Sequence, residues 1–363
     1  MMTSEPLKIY PPFIKSRANV QTIMRDVIYA LLPLVAISYL AYGFVPLLLL
    51  GVAIVSAVLT EVIFSVIFFK KINTVKDGSA CITAILLVFT LAPFTPWYIV
   101  AFGASMAVLF GKLLWGGLGR NMLNPALVGR EFMVVFFPTV MASREIWYNK
   151  DAVNFSNFDL SGIFGEGRFV DYLNGLVFKP SGAVGEYSVL FIILGGLFLL
   201  YRRRISWHIP FGILMVFFVL SHLVTKNISF SMGGVLLGAI FMATDMPSSA
   251  SSKAGKLYYG IMIGVSAVLF LLNDVRYEYM SYSILIVNGF SLLIDKVFRP
   301  LVWAEKINLV KRISGAALLT FLIVTVTYIV VILHTGNMIS FLIYIYVLFI
   351  IGRFAYFYKK KFF

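Results

Sequence analysis

The chain has 363 residues, of which 60% are hydrophobic and only 13% charged, with a mean hydropathy of +0.93 and a formal net charge of +14. A soluble domain is about half apolar and about a quarter charged, so a water-soluble globule is excluded. The recurring long apolar runs define an all-α polytopic membrane protein, and the basic excess follows membrane topology and does not signal nucleic acid.

The first 26 residues, "MMTSEPLKIYPPFIKSRANVQTIMRD", are polar and basic with no early apolar core. They read as a cytoplasmic N-terminal segment and not as a cleavable signal. Apolar runs then predict spans over 27–42, 45–69, 80–93, 97–115, 124–141, 188–201, 207–224, 231–244, 256–272, 280–295, 314–333 and 338–358. The third and eighth runs are short and polar at one end, and read as broken or half-length helices. Cys81, in the third run, is the only cysteine, which excludes a cysteine-ligated iron–sulfur cluster and an internal disulfide. The histidines His208, His222 and His334 are far apart and form no metal-ligand spacing, so neither a metal site nor haem is expected.

With the N-terminus inside, most basic residues fall on the cytoplasmic side. They include Lys70, Lys71, Lys76, Lys112, Arg120, Arg202–Arg204, Lys253, Lys256, Arg353 and the closing Lys359–Lys361. Arg144, Lys150, Arg168, Lys179, Lys226 and Arg276 fall outside, and Arg130 falls within a span. The positive-inside rule supports this orientation, with both termini cytoplasmic and the loop over 142–187 external.

Two stretches resemble each other. "DGSACITAILLVFTLAPFTPW" (77–97) and "SMGGVLLGAIFMATDMPSSASS" (231–252) each have a small-residue entry, an apolar run and a Thr/Pro/Ser exit. The chain therefore divides into a first five-helix repeat over 27–141, the external loop, a second five-helix repeat over 188–300, and an extension with two further transmembrane helices over 301–363. Five spans per unit is an odd number, so the halves are expected to sit inverted across the membrane. Such scaffolds place a central site where interrupted segments meet.

The candidate residues for that site are Asp77, Gly78 and Ser79 at the entry of the third span, Asn124 at the start of the fifth, Glu186 before the sixth, and Thr244 and Asp245 at the exit of the eighth. Local readings compete with each. Either aspartate can cap a helix or sit in water. Asn124-Pro125 reads as a cap followed by proline at the first helical position, and Glu186 as an acid favoured at a helix N-terminus. Lys112 ends the fourth span, where snorkelling accounts for it. Arg130 and Glu131, charged inside a span, read as paired or functional. The Gly116-Gly117-Leu118-Gly119 stretch reads as a tight helix connection.

At these motifs the sequence resembles the membrane subunits RnfD and NqrB of bacterial ion-translocating electron-transport complexes. The matching residues are Asp77-Gly78-Ser79, "TLAP" (90–93), "GKLLWGGLGRNMLNPALVGREF" (111–132), "GAVGEYSVLFIILGGLFLLYRRRISWHIP" (182–210), "GGVLLGAIFMATD" (233–245), "KAGKLYYGIMIG" (253–264) and "NGFSLLID" (288–295). They run in the family's order over roughly residues 20–300, and the short N-terminus resembles RnfD more than NqrB. The resemblance implies a ten-helix inverted repeat, location in the bacterial inner membrane, other membrane subunits as partners in the lipid bilayer, and flavin-mediated electron transfer coupled to Na+ or H+ movement.

The family carries covalent FMN on a Thr in an external Asp-x-x-Ser/Thr-Gly-Ala-Thr segment. The collinear stretch here is Asp151 to Asn157, with Asn157 in the Thr position. Asparagine has no hydroxyl to form the phosphoester, so covalent FMN is expected to be absent and any flavin, FMN or riboflavin, to be noncovalent. "SGAV" at 181–184 spells a similar string but belongs to the later turn before the sixth span. The competing reading is a diverged paralogue acting as a non-redox transporter, channel or structural partner on the same scaffold.

Overall fold

The computed structural model describes residues 19–70, 73–147, 182–223, 230–299 and 309–362. A helix lies at each expected span. In the first half these are α1 (Val20–Tyr42), α2 (Val45–Phe64), α3 (Ser79–Phe89), α4 (Trp97–Val108) and α5 (Pro125–Phe136). In the second half they are α6 (Val189–Tyr201), α7 (His208–Leu223), α8 (Met232–Leu237), α9 (Lys253–Leu272) and α10 (Tyr279–Val297), followed by α11 (Leu309–Thr335) and α12 (Ile339–Phe362). Among the described residues, 6 helices are long and apolar enough to cross a membrane.

Three helices end in a π-helical turn: α2 over Ser65–Phe69, α4 over Leu109–Leu113 and α8 over Gly238–Met242. The wider turn is visible in the hydrogen bonds from Leu114 N to Leu109 O (3.0 Å) and from Ala243 N to Gly238 O (2.7 Å). Single π turns inside helices mark places where a side chain is re-aimed, often at functional sites.

The third and eighth spans are short, as expected. Helix α3 has 11 residues, and at 1.5 Å per residue it rises only about 16 Å, roughly half of a bilayer's hydrocarbon core. Its ends must therefore lie inside protein, where side chains and neighbouring backbone satisfy them. The packing partners repeat between the halves. Helix α2 packs on α3 and α4, and α4 on α5; correspondingly α7 packs on α9 and on the turn that extends α8, and α9 on α10. Helices α1 and α6 pack against each other.

Small residues permit this closeness. A Cβ on Gly129 of α5 would sit 2.5 Å from the Gly103 carbonyl of α4, and one on Gly260 of α9 would collide with the Ile209 carbonyl of α7. Transmembrane helices lack a hydrophobic drive toward one another, so such backbone approaches carry their association. Lipid-facing positions are large and apolar: Leu32 and Leu59 are exposed on α1 and α2, while Leu31 and Ala57 beside them are buried.

The Gly260→Ala variant is expected to lose about 1–3 kcal/mol through overpacking against backbone. Gly51→Ala, whose Cβ meets nothing within 4 Å, is expected to be neutral. Thermal melting of the detergent-solubilised variants measures the difference.

Candidate functional site

Gly78 has φ +75°, a left-handed turn that glycine adopts without strain. That turn lets Asp77 Oδ1 accept from the Ser79 N–H (2.8 Å) and from the Ser79 hydroxyl (2.7 Å) as α3 begins. Lys112, in the π turn of α4, reaches the same place from the other side. Its ammonium donates to Glu61 Oε1 (2.7 Å) and to Ser79 Oγ, and lies 3.5 Å from Asp77 Oδ2. The Lys112 side chain is 3% exposed and that of Glu61 0%, so Lys112 is an interior ion-pair partner and does not snorkel. Snorkelling fails because the π turn aims the side chain between α2 and α3, where two carboxylates receive it.

Glu61 is absent from the residues the motifs single out. Its signal is a lone acid inside the apolar run "VPLLLLGVAIVSAVLTEVIF" of α2, a costly placement that marks function or pairing. Its Oε2 has no hydrogen-bond partner among the described residues.

Asn124 caps α5 as expected: its Oδ1 accepts from Ala126 N (3.0 Å) and Leu127 N (3.4 Å). It also does what the cap reading omits. Its Nδ2 donates to Met242 O (3.0 Å) where α8 ends, a carbonyl that also accepts from Asp245 N (3.4 Å). Asn288 of α10 completes the joint. With its carboxamide assigned by its neighbours, its oxygen accepts from the Asn124 N–H (3.0 Å) and its nitrogen donates to Ser248 O (3.2 Å) and the Tyr259 hydroxyl.

Beside this joint, Asp245 Oδ2 accepts from Ser248 Oγ (3.0 Å) and Asn121 Nδ2 (3.4 Å). Asn121 Oδ1 is buried with no partner among the described residues. The Thr244 hydroxyl donates to Ile240 O (2.5 Å). Ser79, Thr83, Lys112, Asn121, Asn124, Arg204, Thr244 and Asp245 line a cavity of about 250 Å³ together with apolar residues that include Ile82, Leu86, Ile240 and Phe241. Asp77 adjoins it through Ser79 and Lys112.

Glu186 does not join this group. It lies in a short 3-10 turn, Val184–Glu186, ahead of α6, whose cap is Ser188 accepting from Phe191 N (3.5 Å). Its side chain instead rests on the start of α8. A Cβ on Gly234 would lie 2.8 Å from Glu186 Oε1, and one on Gly233 would lie 2.5 Å from its carbonyl. The acid is thus placed at a helix N-terminus, but at that of α8 and not of α6.

With Arg130, Thr90, Trp147, Ser231 and Tyr277, Glu186 lines a second cavity of about 520 Å³. Arg130 donates to the Thr90 carbonyl at the end of α3 and to Tyr277 O (3.2 Å), so it closes exposed backbone. Glu131 Oε1 accepts from Ser281 Oγ (2.5 Å), while its Oε2 has no partner among the described residues. Residues Asp151–Asn157, and with them the flavin-anchor position, lie outside the described residues, as does Ser181.

A family model for the NQR2, RnfD, RnfE family matches residues 9–304. The chain is 35% identical over 291 residues to the D component of the Na+-translocating ferredoxin:NAD+ oxidoreductase complex of Acetobacterium woodii, covering 78% of this chain and 91% of that protein. It is 30% identical over 328 residues to the D component of the ion-translocating oxidoreductase complex of Stutzerimonas stutzeri, covering 78% and 92%. Over 254 residues it is 34% identical to the B component of the Na+-translocating NADH-quinone reductase of Pseudomonas paraeruginosa, covering 65% and 62%. Helices α11 and α12 lie beyond the matched residues.

Removing one partner of a buried ion pair costs about 3–5 kcal/mol because the other charge is left uncompensated. Lys112→Met is therefore expected to destabilise strongly, and the Glu61→Gln/Lys112→Met double variant to be less destabilised than the sum of its single changes. A double-mutant cycle of melting curves reads this coupling.

Proposed function

Because the chain belongs to the NQR2, RnfD, RnfE family, we propose that it is a membrane subunit of an ion-translocating oxidoreductase complex, acting with other membrane subunits to couple electron transfer to Na+ or H+ movement. The match runs nearly the full length of the relatives from Acetobacterium woodii and Stutzerimonas stutzeri. The proposal extends to orientation: the halves are inverted in the bacterial inner membrane with both termini cytoplasmic. The distribution of Lys and Arg supports this, and so do contacts between groups assigned to one side. Asp26 pairs with Arg204 (2.7 Å) and Arg202 (3.3 Å), and Arg353 stacks on Trp115 (4.5 Å).

The observation that carries a redox role is the cavity between the halves, where the start of α3 and the end of α8 meet around a buried Asn121 Oδ1 that has no partner among the described residues. A cleft with apolar walls and convergent polar groups suits a planar ring with edge donors and acceptors. We propose that it holds the ring of a noncovalent flavin, FMN or riboflavin. Asn121 Oδ1 would accept a ring N–H, Lys112 would face a ring carbonyl, and Ile82, Leu86 and Phe241 would cover the faces. Its volume of about 250 Å³ admits the ring alone, so the ribityl chain would extend out of it. A bound flavin supplies the electron-carrying chemistry. The chain's own residues orient the ring and exclude water.

A second reading, a diverged paralogue with no redox role, is favoured by Asn157 at the anchor position and by the added helices α11 and α12. The two readings separate on purification of the protein with its partners. The redox reading expects a flavin absorption spectrum, loss of the flavin on denaturation, no fluorescent band on a denaturing gel, and reduced flavin content in Asn121→Leu. A colourless complex supports the paralogue, and a fluorescent band that survives denaturation overturns the noncovalent assignment.

A further inference from the structure

We propose that the cavity enclosed by α12 is a binding site for an aminophospholipid, with the lipid phosphate held by Arg120 and Arg353 and its ammonium group by Asp77. The cavity, about 960 Å³, is lined by these three residues together with Lys112, Trp115 and Phe354. Part of its wall is α12, which lies outside the family-matched residues.

Helix α12 is fixed there by contacts with the first half. Tyr346 donates to Phe110 O (2.8 Å) and accepts from the Trp115 indole N–H (3.0 Å), and Phe354 packs on Phe64 and Phe68 with ring centroids 5.5 and 5.4 Å apart.

Each end of the cavity has unused capacity. The Arg353 guanidinium stands over Trp115 (4.5 Å) and Phe357 (5.1 Å) and donates to Trp115 O at 3.4 Å. A guanidinium has five N–H donors in a planar fork, so donors remain for a phosphate. Arg120 is exposed and lies along Gly116 in the turn after α4. Arg120 and Arg353 line the same cavity, and arginines recognise phosphate oxygens through charge-assisted bonds.

At the inner end the balance is opposite. Asp77 and Glu61 set two carboxylates against the one ammonium of Lys112. Asp77 Oδ1 is taken by Ser79, but its Oδ2 faces Lys112 at 3.5 Å, longer than a charge-assisted bond. Its side chain is 17% exposed, enough to receive a second donor. A headgroup carrying both a phosphate and a primary ammonium satisfies both ends. The aromatic wall, with Phe357 53% exposed on a membrane helix, gives acyl chains a path out and favours a lipid over a soluble phosphate ester.

The test uses the full chain, delipidated in detergent and returned to nanodiscs of phosphatidylethanolamine, phosphatidylcholine or phosphatidylglycerol, with retained lipid read by native mass spectrometry. Phosphatidylethanolamine is expected to be retained over the other two. Arg120→Gln and Arg353→Gln should each lower its retention about tenfold, as for loss of one hydrogen bond to a charged group. Asp77→Asn should abolish the preference for ethanolamine over choline headgroups while leaving retention of phosphatidylcholine unchanged. Arg120 is exposed, so its variant keeps the fold even if Arg353→Gln loosens α12. Equal retention of all three lipids, preference for phosphatidylglycerol, or retention insensitive to both arginine variants overturns the proposal. So does displacement of the lipid by free phosphoethanolamine, which would assign the site to a soluble ligand.

Discussion

One asparagine ties together the helix ends that meet at the centre of this protein. Asn124 caps α5 with its oxygen, holds the Met242 carbonyl at the end of α8 with its nitrogen, and gives its own N–H to Asn288 of α10. A helix that stops inside a bilayer leaves carbonyls with no water to receive them, and each costs several kcal/mol if unanswered. At the end of α8, Asn124 adds a 3.0 Å donor to a carbonyl that its own segment reaches only at 3.4 Å, from Asp245 N. The same residue therefore satisfies the backbone and fixes the position of the cavity between the halves.

Around that joint, buried charges find polar partners from other parts of the chain. Lys112 meets Glu61 and Ser79, and Asp245 meets Ser248 and Asn121. The geometry comes from the backbone: Gly78 turns the chain left-handed into α3, and the π turn over Leu109–Leu113 points Lys112 inward. Of the three buried side-chain groups left without partners among the described residues, Glu61 Oε2, Asn121 Oδ1 and Glu131 Oε2, the first two belong to residues that line cavities, where a bound group can complete them.

Helices α11 and α12 extend the family scaffold and do more than lengthen it. Helix α12 lays Tyr346 on Phe110 and Trp115 and Arg353 on Trp115, closing the outer side of the charged cluster. Tyr258 of α9 donates to Ala316 O of α11 (3.2 Å), and Thr327 of α11 donates to Ser266 of α9 (3.1 Å). The extension is thus packed on both the first and the second five helices.

The position of every one of these twelve helices was legible in the sequence, because a bilayer imposes apolarity on each segment independently of its neighbours. The short third and eighth runs were legible for the same reason, and the order of motifs from Asp77 to Asp295 was enough to indicate the family. The destinations of polar side chains were not legible. Lys112 reads as a snorkelling end residue until the π turn and Glu61 place it inside, and Glu186 reads as the N-terminal acid of α6 until the fold lays it on the glycines that open α8. Glu61 itself stood out only as one acid in an apolar run, since its partner is 51 residues away in sequence. Membrane insertion is a local property of sequence, whereas the pairing of buried charges depends on which helices become neighbours, and tertiary packing alone decided that.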